Sequence, residues 1–360
     1  MNQNERIIII GGGLSGLTLA YLLSQINIKA TILEASTRLG GRIQTVKGVL
    51  ETPLELGATW FSDMHPNLIA FLEELGLKKY AQFSKGKSLF QTKSFEPPQE
   101  FFVPEAENPS YRIVGGTQML IDTLSQKLPD KNIQFNAKVT GIKEAGNELI
   151  VESSCGAKYY ADKVVLCLPP QVAFKQIQFS PELPKSVTDI LPEVQTWMEG
   201  SIKFVLEYSE PFWRNSGYSG MLYSHVGIVS EMYDHTNFEQ NKFGFTGFLN
   251  SGAASYTQEV RKELVLQQLD KLMGEKALKP VAYIYKIWTD EFVSGFNQNI
   301  LPHQNNGHPF LQKSYLGEKL FFAGTESSTE FPGYMEGAIL ASITILKKLK
   351  LSFQSRPSGD

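Results

Sequence analysis

The stretch from Ile7 to Leu17 constrains the fold of this chain more than any other. Its four consecutive isoleucines predict a strand that is buried on both faces, as in a parallel sheet. Glycines with the spacing G-x-G-x-x-G follow directly, and a helix over residues 17–23 comes next. The first glycine allows a tight turn, the second lets a pyrophosphate approach the backbone, and the third lets the helix pack against the strand. The predicted dinucleotide-binding residues in this turn are Gly11, Gly13, Leu14, Ser15 and Gly16.

A second predicted strand over residues 30–33 ends in Glu34, whose carboxylate is placed to accept hydrogen bonds from a ribose. The helix that starts at the glycine turn would offer unpaired N–H groups and a partial positive charge to the phosphates. A glycine-rich turn without any ligand is the alternative. The coincidence of strand, glycines, helix and acid favours the nucleotide.

The run after the ribose acid carries two glycines and two arginines. The glycines predict a second close approach of the backbone to the dinucleotide, and the arginines predict cations near its phosphates. The alternative for the two arginines is that they are ordinary surface charges. The run resembles the FAD-binding signature of the flavin amine oxidoreductases, the monoamine oxidase and polyamine oxidase family. That resemblance implies cofactor contacts by Ala35, Arg38, Gly40, Gly41 and Arg42.

A block near the end of the chain resembles the closing motif of the same family. In the family, its tyrosine faces the substrate cavity and the backbone near its methionine contacts the isoalloxazine. Without the family, Tyr334 would be interpreted as an ordinary buried aromatic. The resemblance implies a cavity wall at Tyr334 and cofactor contacts by Gly324, Thr325, Glu326, Gly333, Tyr334 and Met335.

Residues 199–203, followed by Glu210-Pro211-Phe212-Trp213, resemble the monoamine oxidase segment whose lysine holds a water at flavin N5. The resemblance makes Lys203 a candidate catalytic residue. Apolar residues alternate along 202–208, so the stretch is also a predicted strand. The alternative is a lysine on the solvated face of that strand.

Five further positions complete the predicted site. Gly57 and Ala58, with Thr59, match a small-residue turn beside the flavin, although a tight turn between strands is the alternative. Val139 sits where the family contacts the adenine end, and Trp288 matches a tryptophan near the flavin.

The stretch Phe296-Asn297-Gln298 departs from the family pattern. The monoamine oxidases have a flavin-bonding cysteine and the second tyrosine of an aromatic cage at the last two of these positions. We therefore expect non-covalent FAD and an incomplete cage, with Phe296 and Trp288 as candidates for the second aromatic wall.

The predicted fold class is α/β. A Rossmann-like FAD domain of the glutathione-reductase type would comprise residues 1–75, 111–170 and 296–350, and residues 351–360 would form a polar tail. An interposed α+β substrate domain on a mixed sheet would comprise residues 76–110 and 171–295. Residues 91–110, rich in Pro and Glu, are predicted to be a loop, and residues 159–168 a single strand. Helices are predicted over residues 66–75 and 258–273.

Composition excludes several classes of function. A net charge of −3 over 360 residues gives no reason to expect a nucleic-acid partner, and the five histidines show no metal-ligand spacing. Cys155 and Cys167 form no disulfide framework, and Cys167 lies in an apolar run typical of a core. We expect a cytoplasmic protein without a signal peptide or transmembrane anchor.

The family resemblance implies oxidation of an amine C–N bond to an imine, by hydride transfer to flavin N5 and reoxidation by oxygen to hydrogen peroxide. The substrates would be a small-molecule amine and oxygen. One alternative is a flavin-dependent desaturase or dehydrogenase acting on C–C bonds, as in relatives that handle carotenoids or porphyrins. The other alternative is a catalytically degenerate flavin-binding protein.

Overall fold

The computed structural model describes residues 5–103, 109–129, 132–289 and 301–354. Two predicted helices, over residues 66–75 and 258–273, are confirmed to within one residue at each end. The α-helices of the described residues are α1 (Leu14–Ser24), α2 (Pro66–Glu74), α3 (Gln118–Gln126), α4 (Pro170–Gln176), α5 (Lys185–Thr188), α6 (Phe212–Asn215), α7 (Gln258–Met273) and α8 (Met335–Gln354). Helix α8 thus extends into the first residues of the predicted tail.

The strands lie in mixed and antiparallel sheets. In chain order they are β1 (Ile7–Ile10), β2 (Ala30–Leu33), β3 (Thr45–Lys47), β4 (Pro53–Glu55), β5 (Lys79–Ala81), β6 (Lys87–Gln91), β7 (Gln99–Phe102), β8 (Tyr111–Ile113), β9 (Ile133–Gln134), β10 (Val139–Ala145), β11 (Glu148–Ser153), β12 (Lys158–Ala161), β13 (Lys163–Leu166), β14 (Gln178–Ser180), β15 (Ile202–Tyr208), β16 (Tyr218–Ser224), β17 (Val229–Asp234), β18 (Phe243–Leu249), β19 (Ala282–Ile287), β20 (Ser314–Tyr315) and β21 (Leu320–Phe322).

Strand β1 lies inside a largely parallel sheet with the order β20-β21-β13-β1-β2-β9 in the described residues. Its isoleucines alternate between two hydrophobic cores. Ile7 and Ile9 pack with α1, α2 and α8 on one side, whereas Ile8 and Ile10 pack with β10, β11 and residues 187–194 on the other. The predicted isoleucine strand is confirmed, and burial on both faces explains why it is uniformly apolar.

Residues 159–168 differ from the prediction of one strand. They form two strands, because β12 joins β11 in a four-stranded sheet while β13 joins β1. Asp162 stands between the two strands, and its carboxylate accepts hydrogen bonds from the backbone N–H and the guanidinium of Arg6. A charged residue paired at the surface thus marks the break between them.

A second large sheet has the order β19-β15-β18-β17-β16-β6-β7 in the described residues. It is antiparallel except where β6 runs parallel to β16. The prediction of a loop over residues 91–110 is wrong at Gln99–Phe102, because these residues pair with β6 as the edge strand β7. The strand was hard to predict since it faces solvent and is stabilised by backbone pairing and a Lys87–Glu100 ion pair of 2.9 Å.

The hairpin of β3 and β4 connects the two large sheets. Leu54 and Leu56 pack against Val205 of β15 in a small buried cluster. The chain then turns at residues 57–59, where the Gly57 carbonyl oxygen accepts a hydrogen bond from Lys203 of β15.

Candidate active site

A large cavity of about 880 Å³ lies where the carboxyl ends of β1, β2, β13 and β21 face β15. Ligands of open α/β sheets bind at the carboxyl ends of the strands. Glu34 at the end of β2, Lys203 of β15 and Tyr334 before α8 all line this cavity. Nearly all predicted site residues line it, with Gly16 and Glu326 outside the lining. The lining residues from the prediction are Gly11, Gly13, Leu14, Ser15, Glu34, Ala35, Arg38, Gly40, Gly41, Arg42, Gly57, Ala58, Thr59, Val139, Lys203, Trp288, Gly324, Thr325, Gly333, Tyr334 and Met335.

The three motif glycines have different environments. A side chain on Gly11 would come within 2.6 Å of the Cys167 carbonyl oxygen, and one on Gly16 would overlap the Gly11 carbonyl. Gly13, in contrast, has no atom within 4 Å in the direction of a Cβ. Helix α1 begins right after Gly13 without a side-chain cap, so its first N–H groups have no acceptor within the helix. The turn therefore exposes backbone donors and open space to the cavity.

Glu34 holds the glycine turn as well as facing the cavity. Its Oε2 accepts a hydrogen bond from the N–H of Gly12 at 2.7 Å, and its Oε1 accepts from the N–H and hydroxyl of Ser36 at 2.8 Å. An ionised carboxylate has about four acceptor positions, so the group keeps capacity for a further donor. The acid predicted as a ribose acceptor is thus also part of the scaffold that shapes the turn.

The second pair of glycines lies opposite the first motif. Gly40 forms a bridge with Gly13, and a Cβ on Gly41 would lie 3.5 Å from the Gly13 Cα. The Arg38 guanidinium donates to the carbonyl oxygens of Ile43 and Gly41, at 3.0 and 2.5 Å. Arg38 therefore stabilises the loop of this second approach in addition to lining the cavity.

Arg42 and Glu326 form a bidentate ion pair, with N–O distances of 2.6 and 3.0 Å. Glu326 is fully buried and lies outside the cavity lining, so the predicted direct cofactor contact of this residue stays a prediction. The side chain of Arg42 is 24% exposed and lines the cavity. The pair joins the loop after β2 to the block after β21, which are distant in the sequence.

The closing block turns at Gly333, whose φ of +86° favours glycine. A Cβ there would approach the Cβ of Trp197 to 2.7 Å. The hydroxyl of Thr325 donates to the carbonyl oxygen of Tyr334 at 2.8 Å, and helix α8 begins at the next residue. These contacts fix Tyr334 at the mouth of the cavity, where 40% of it is exposed.

The aromatic neighbours of Tyr334 were missed by the sequence prediction. Trp197 lies 5.6 Å from it between ring centroids, and His65 lies 6.1 Å away with an interplanar angle of 28°. Trp288, a predicted second wall, is buried and its indole N–H donates to the Leu56 carbonyl at 2.9 Å. The stretch 296–298 lies outside the described residues. Trp197 and His65 carry no local motif, so only folding brings them to Tyr334.

Lys203 is 2% exposed although it occupies a strand that alternates in polarity. Its ammonium donates to the Gly57 carbonyl at 2.6 Å and to the Thr59 hydroxyl at 2.5 Å. Burial lowers the pKa of Lys203 to about 7, against the opposing effect of the Glu55 carboxylate. The alternative of a solvated strand face is wrong, because β15 is buried on both faces.

The turn at residues 57–59 packs tightly against the segment just before β3. A Cβ on Gly57 would overlap the Arg42 carbonyl oxygen and lie 2.6 Å from the Gln44 nitrogen, so this position requires glycine. Its carbonyl oxygen and the Thr59 hydroxyl then hold Lys203. The turn thus positions the lysine, while Ala58 faces the cavity.

Three further findings concern metal ligands, thiol chemistry and membrane helices. Among the described residues, no three His, Cys, Asp or Glu side chains are grouped as metal ligands. Cys167 lines the cavity, but burial raises the pKa of its thiol to about 12. Within the same residues, no helix is long and apolar enough to cross a membrane.

Known proteins share this architecture over almost the entire chain. The family model of the flavin containing amine oxidoreductases matches residues 14–97 and 90–344. A probable flavin-containing monoamine oxidase A of Dictyostelium discoideum is 24% identical, over 96% of this chain and 97% of its own chain.

Two solved structures have the same fold at 20% identity. A cyclohexylamine oxidase from Brevibacterium oxydans has a TM-score of 0.84, and a putrescine oxidase bound to putrescine has one of 0.83. Each of the two alignments covers 96% of this chain and 99% of the solved chain. Since the family model covers most of the chain, the protein belongs to the flavin containing amine oxidoreductase family and is a flavin-dependent oxidoreductase of the amine oxidase type.

Proposed function

We propose that the protein oxidises the C–N bond of an amine to an imine with non-covalently bound FAD, and that oxygen is the final acceptor with hydrogen peroxide as product. The observation that carries this proposal is the juxtaposition of Lys203 and Tyr334 with both glycine turns in one cavity. The family and the amine oxidases among its relatives support the same chemistry.

The residues present fit FAD. The cavity is at the upper end of the volumes typical of ligand pockets, which suits a dinucleotide. The open space beside Gly13 and the uncapped start of α1 suit a pyrophosphate, and Glu34 lies near the ribose end. In this proposal residues 1–75, 111–170 and 296–350 hold the cofactor, and residues 76–110 and 171–295 cover the substrate.

A bound flavin supplies the two-electron chemistry, so the protein contributes orientation and electrostatics. Tyr334, with Trp197 beside it, provides an aromatic wall against which an amine with an apolar body can pack. Lys203 provides a cation or, once deprotonated, a neutral donor beside the turn at 57–59. The site thus combines an apolar wall with one tunable positive charge.

Anaerobic mixing with a panel of amines tests the proposal. Bleaching of the yellow flavin by an amine, followed by peroxide formation when oxygen is admitted, is the expected result. Bleaching only by a polyene or a porphyrinogen would support the desaturase instead. A complete lack of bleaching by any of these compounds would point to a flavin-binding protein without catalysis.

Acid precipitation should release all the flavin colour into the supernatant. The physical reason is that Asn297 stands where the monoamine oxidases bear the bonding cysteine, so no thioether is expected. The absorbance of supernatant and pellet after trichloroacetic acid provides the measurement. Colour retained on the washed pellet would contradict non-covalent binding.

Replacing Glu34 with alanine should weaken FAD retention by about 1.5–3 kcal/mol, the contribution of a hydrogen bond to a charged group. The N–H groups of Gly12 and Ser36 would also lose their acceptor, so the apoprotein should melt at a lower temperature. Extensive dialysis followed by flavin quantification measures retention. Glu74→Ala is the matched control, since it removes one hydrogen bond from Tyr21 away from the predicted ribose end. Full occupancy in Glu34→Ala would show that the carboxylate makes no contact with the ribose.

A further inference from the structure

Four neighbouring strands of the sheet β19-β15-β18-β17-β16-β6-β7 carry a row of side chains on the face that lines the cavity. Lys203 of β15 pairs with Phe248 of β18, Phe248 pairs with Glu231 of β17, and Glu231 pairs with Tyr223 of β16. Residues directly opposite each other on neighbouring strands project from the same face. The first three line the cavity, and Tyr223 is 37% exposed. The row therefore leads from a buried site to the surface.

Glu231 belongs to this row only because β17 contains a bulge. Val229 pairs with Leu249 and Glu231 pairs with Phe248, so two steps on β17 correspond to one step on β18. Without the extra residue, Ser230 would stand opposite Phe248 and Glu231 would point to the other face of the sheet. Bulges recur beside active sites, where they redirect a side chain.

A chain of hydrogen bonds links Glu231 to the surface. The hydroxyl of Tyr233 donates to Oε1 of Glu231, and the hydroxyls of Tyr233 and Tyr223 lie 2.6 Å apart. Oε2 of Glu231 makes no hydrogen bond within the described part of the chain, so it is available to a ligand in the cavity. Burial and the bond to Glu231 raise the pKa of Tyr233, which therefore remains a neutral hydroxyl. One end of the chain meets the cavity and the other meets solvent.

The proposed reaction creates a need for such a chain. An alkyl ammonium has a pKa near that of lysine, about 10.4, so an amine substrate arrives with a proton that must leave before its α-carbon can give up a hydride. We propose that Glu231 accepts this proton and that Tyr233 and Tyr223 pass it to solvent. The inference rests on the proposed amine oxidation and adds to it a route for the proton.

The step balances without any redox partner. One N–H bond of the ammonium breaks and one O–H bond forms on the Glu231 carboxylate. The acid then returns to the carboxylate as the two hydroxyls exchange protons outward and one proton enters bulk water. Lys203 faces the same space, but two strand spacings of about 4.8 Å separate its strand from that of Glu231. The lysine and the carboxylate can therefore act on different parts of a substrate.

The test uses the FAD-loaded protein and an amine that bleaches its flavin. Single-turnover anaerobic mixing in weak buffer, with a pH indicator present, follows bleaching and proton release together. In the wild type the two signals should coincide. Tyr223→Phe keeps the ring packed edge-on against Tyr233 but removes the outer hydroxyl, so bleaching should keep its rate while proton release lags about tenfold. Glu231→Gln should slow bleaching itself by roughly a hundredfold, the scale of losing a positioned proton acceptor.

Tyr256→Phe is the matched control, because this tyrosine is 46% exposed and lies outside the sheet. It should leave both signals as in the wild type. Coincident signals in Tyr223→Phe, with normal bleaching, would overturn the relay alone and show that the proton leaves through cavity water. Failure of every amine to bleach the wild type would overturn the proposed function, and the relay with it.

Discussion

Replacing Lys203 with methionine should slow reoxidation by oxygen roughly a hundredfold, the scale of losing one positioned electrostatic group. The ammonium is buried beside the turn at residues 57–59, where it can stabilise negative charge far better than in water. FAD should stay bound, because its predicted phosphate and ribose contacts are made by other residues, at the glycine turns and Glu34. Reduction by an amine should slow less. Stopped-flow absorbance separates the two half-reactions.

The pH dependence follows from the lowered pKa of Lys203. As pH rises through about 7 the ammonium is lost, so the reoxidation rate of the wild type should fall towards that of the methionine variant. Negative charge on a reduced flavin would move this fall to higher pH. The variant itself should be insensitive to pH in this window.

The same pKa gives the sign of the stability effect. Between pH 7 and the unfolded pKa of about 10.4, the unfolded chain binds the proton that the folded protein releases, so the free-energy cost that this group adds to folding shrinks as pH rises. Lys203→Met removes the cost of burying the charge and should not destabilise the fold at pH 7. Chemical denaturation at pH 7 and pH 9 measures the change.

Lys286→Met is the matched control for this prediction. Lys286 pairs directly with Lys203 on the neighbouring strand β19, and its ammonium lies 4.4 Å from the ring centroid of Trp288. The reduced flavin of Lys286→Met should be reoxidised by oxygen at a rate within a few-fold of the wild-type rate. If both half-reactions were unchanged in Lys203→Met, or if both lysines gave the same loss, the special role of Lys203 would be refuted.

Replacing Gly13 with valine should abolish tight FAD binding while the protein still folds. Gly13 has a φ of −76°, which any residue adopts, and no atom lies within 4 Å where a Cβ would be. The new side chain would fill the space in which a pyrophosphate approaches the start of α1. Loss of two charge-assisted hydrogen bonds of about 1.5–3 kcal/mol each weakens binding by at least a hundredfold. Titration of apoprotein with FAD, followed by flavin fluorescence, gives the affinity.

Two other glycines provide the comparison. Gly141→Val introduces the same side chain into β10, where a Cβ would make ordinary contacts of 3.5 Å or more, so FAD affinity should be kept. Gly16→Val should fail to fold normally, because its Cβ would overlap the Gly11 carbonyl. Unchanged FAD affinity in a folded Gly13→Val would mean that the phosphates do not pass this turn.

The turns near both ends of the chain were predictable because they place demands on the backbone. The glycine turn after β1 and the block from Gly324 to Met335 need particular φ values and missing side chains, and such needs leave local patterns in the sequence. The isoleucine strand was predictable for a similar reason, since burial on both faces requires an unbroken apolar run. The edge strand β7 had no such pattern, because pairing on one side only leaves composition unconstrained.

The side chains that complete the cavity could not be predicted, because their positions depend on how distant strands align. The sequence suggested two separate cofactor contacts for Arg42 and Glu326. In the folded protein these two side chains form an ion pair with each other. Glu231 faces the cavity only through a one-residue bulge in β17, and nothing near it in the sequence marks that shift. The sequence by itself determined the strand, the turns and the family signature, since each is a local requirement of the backbone. Only the tertiary structure decided that Lys203 is buried, what holds it and which side chains share its cavity, because burial and contact are properties of the packed sheets.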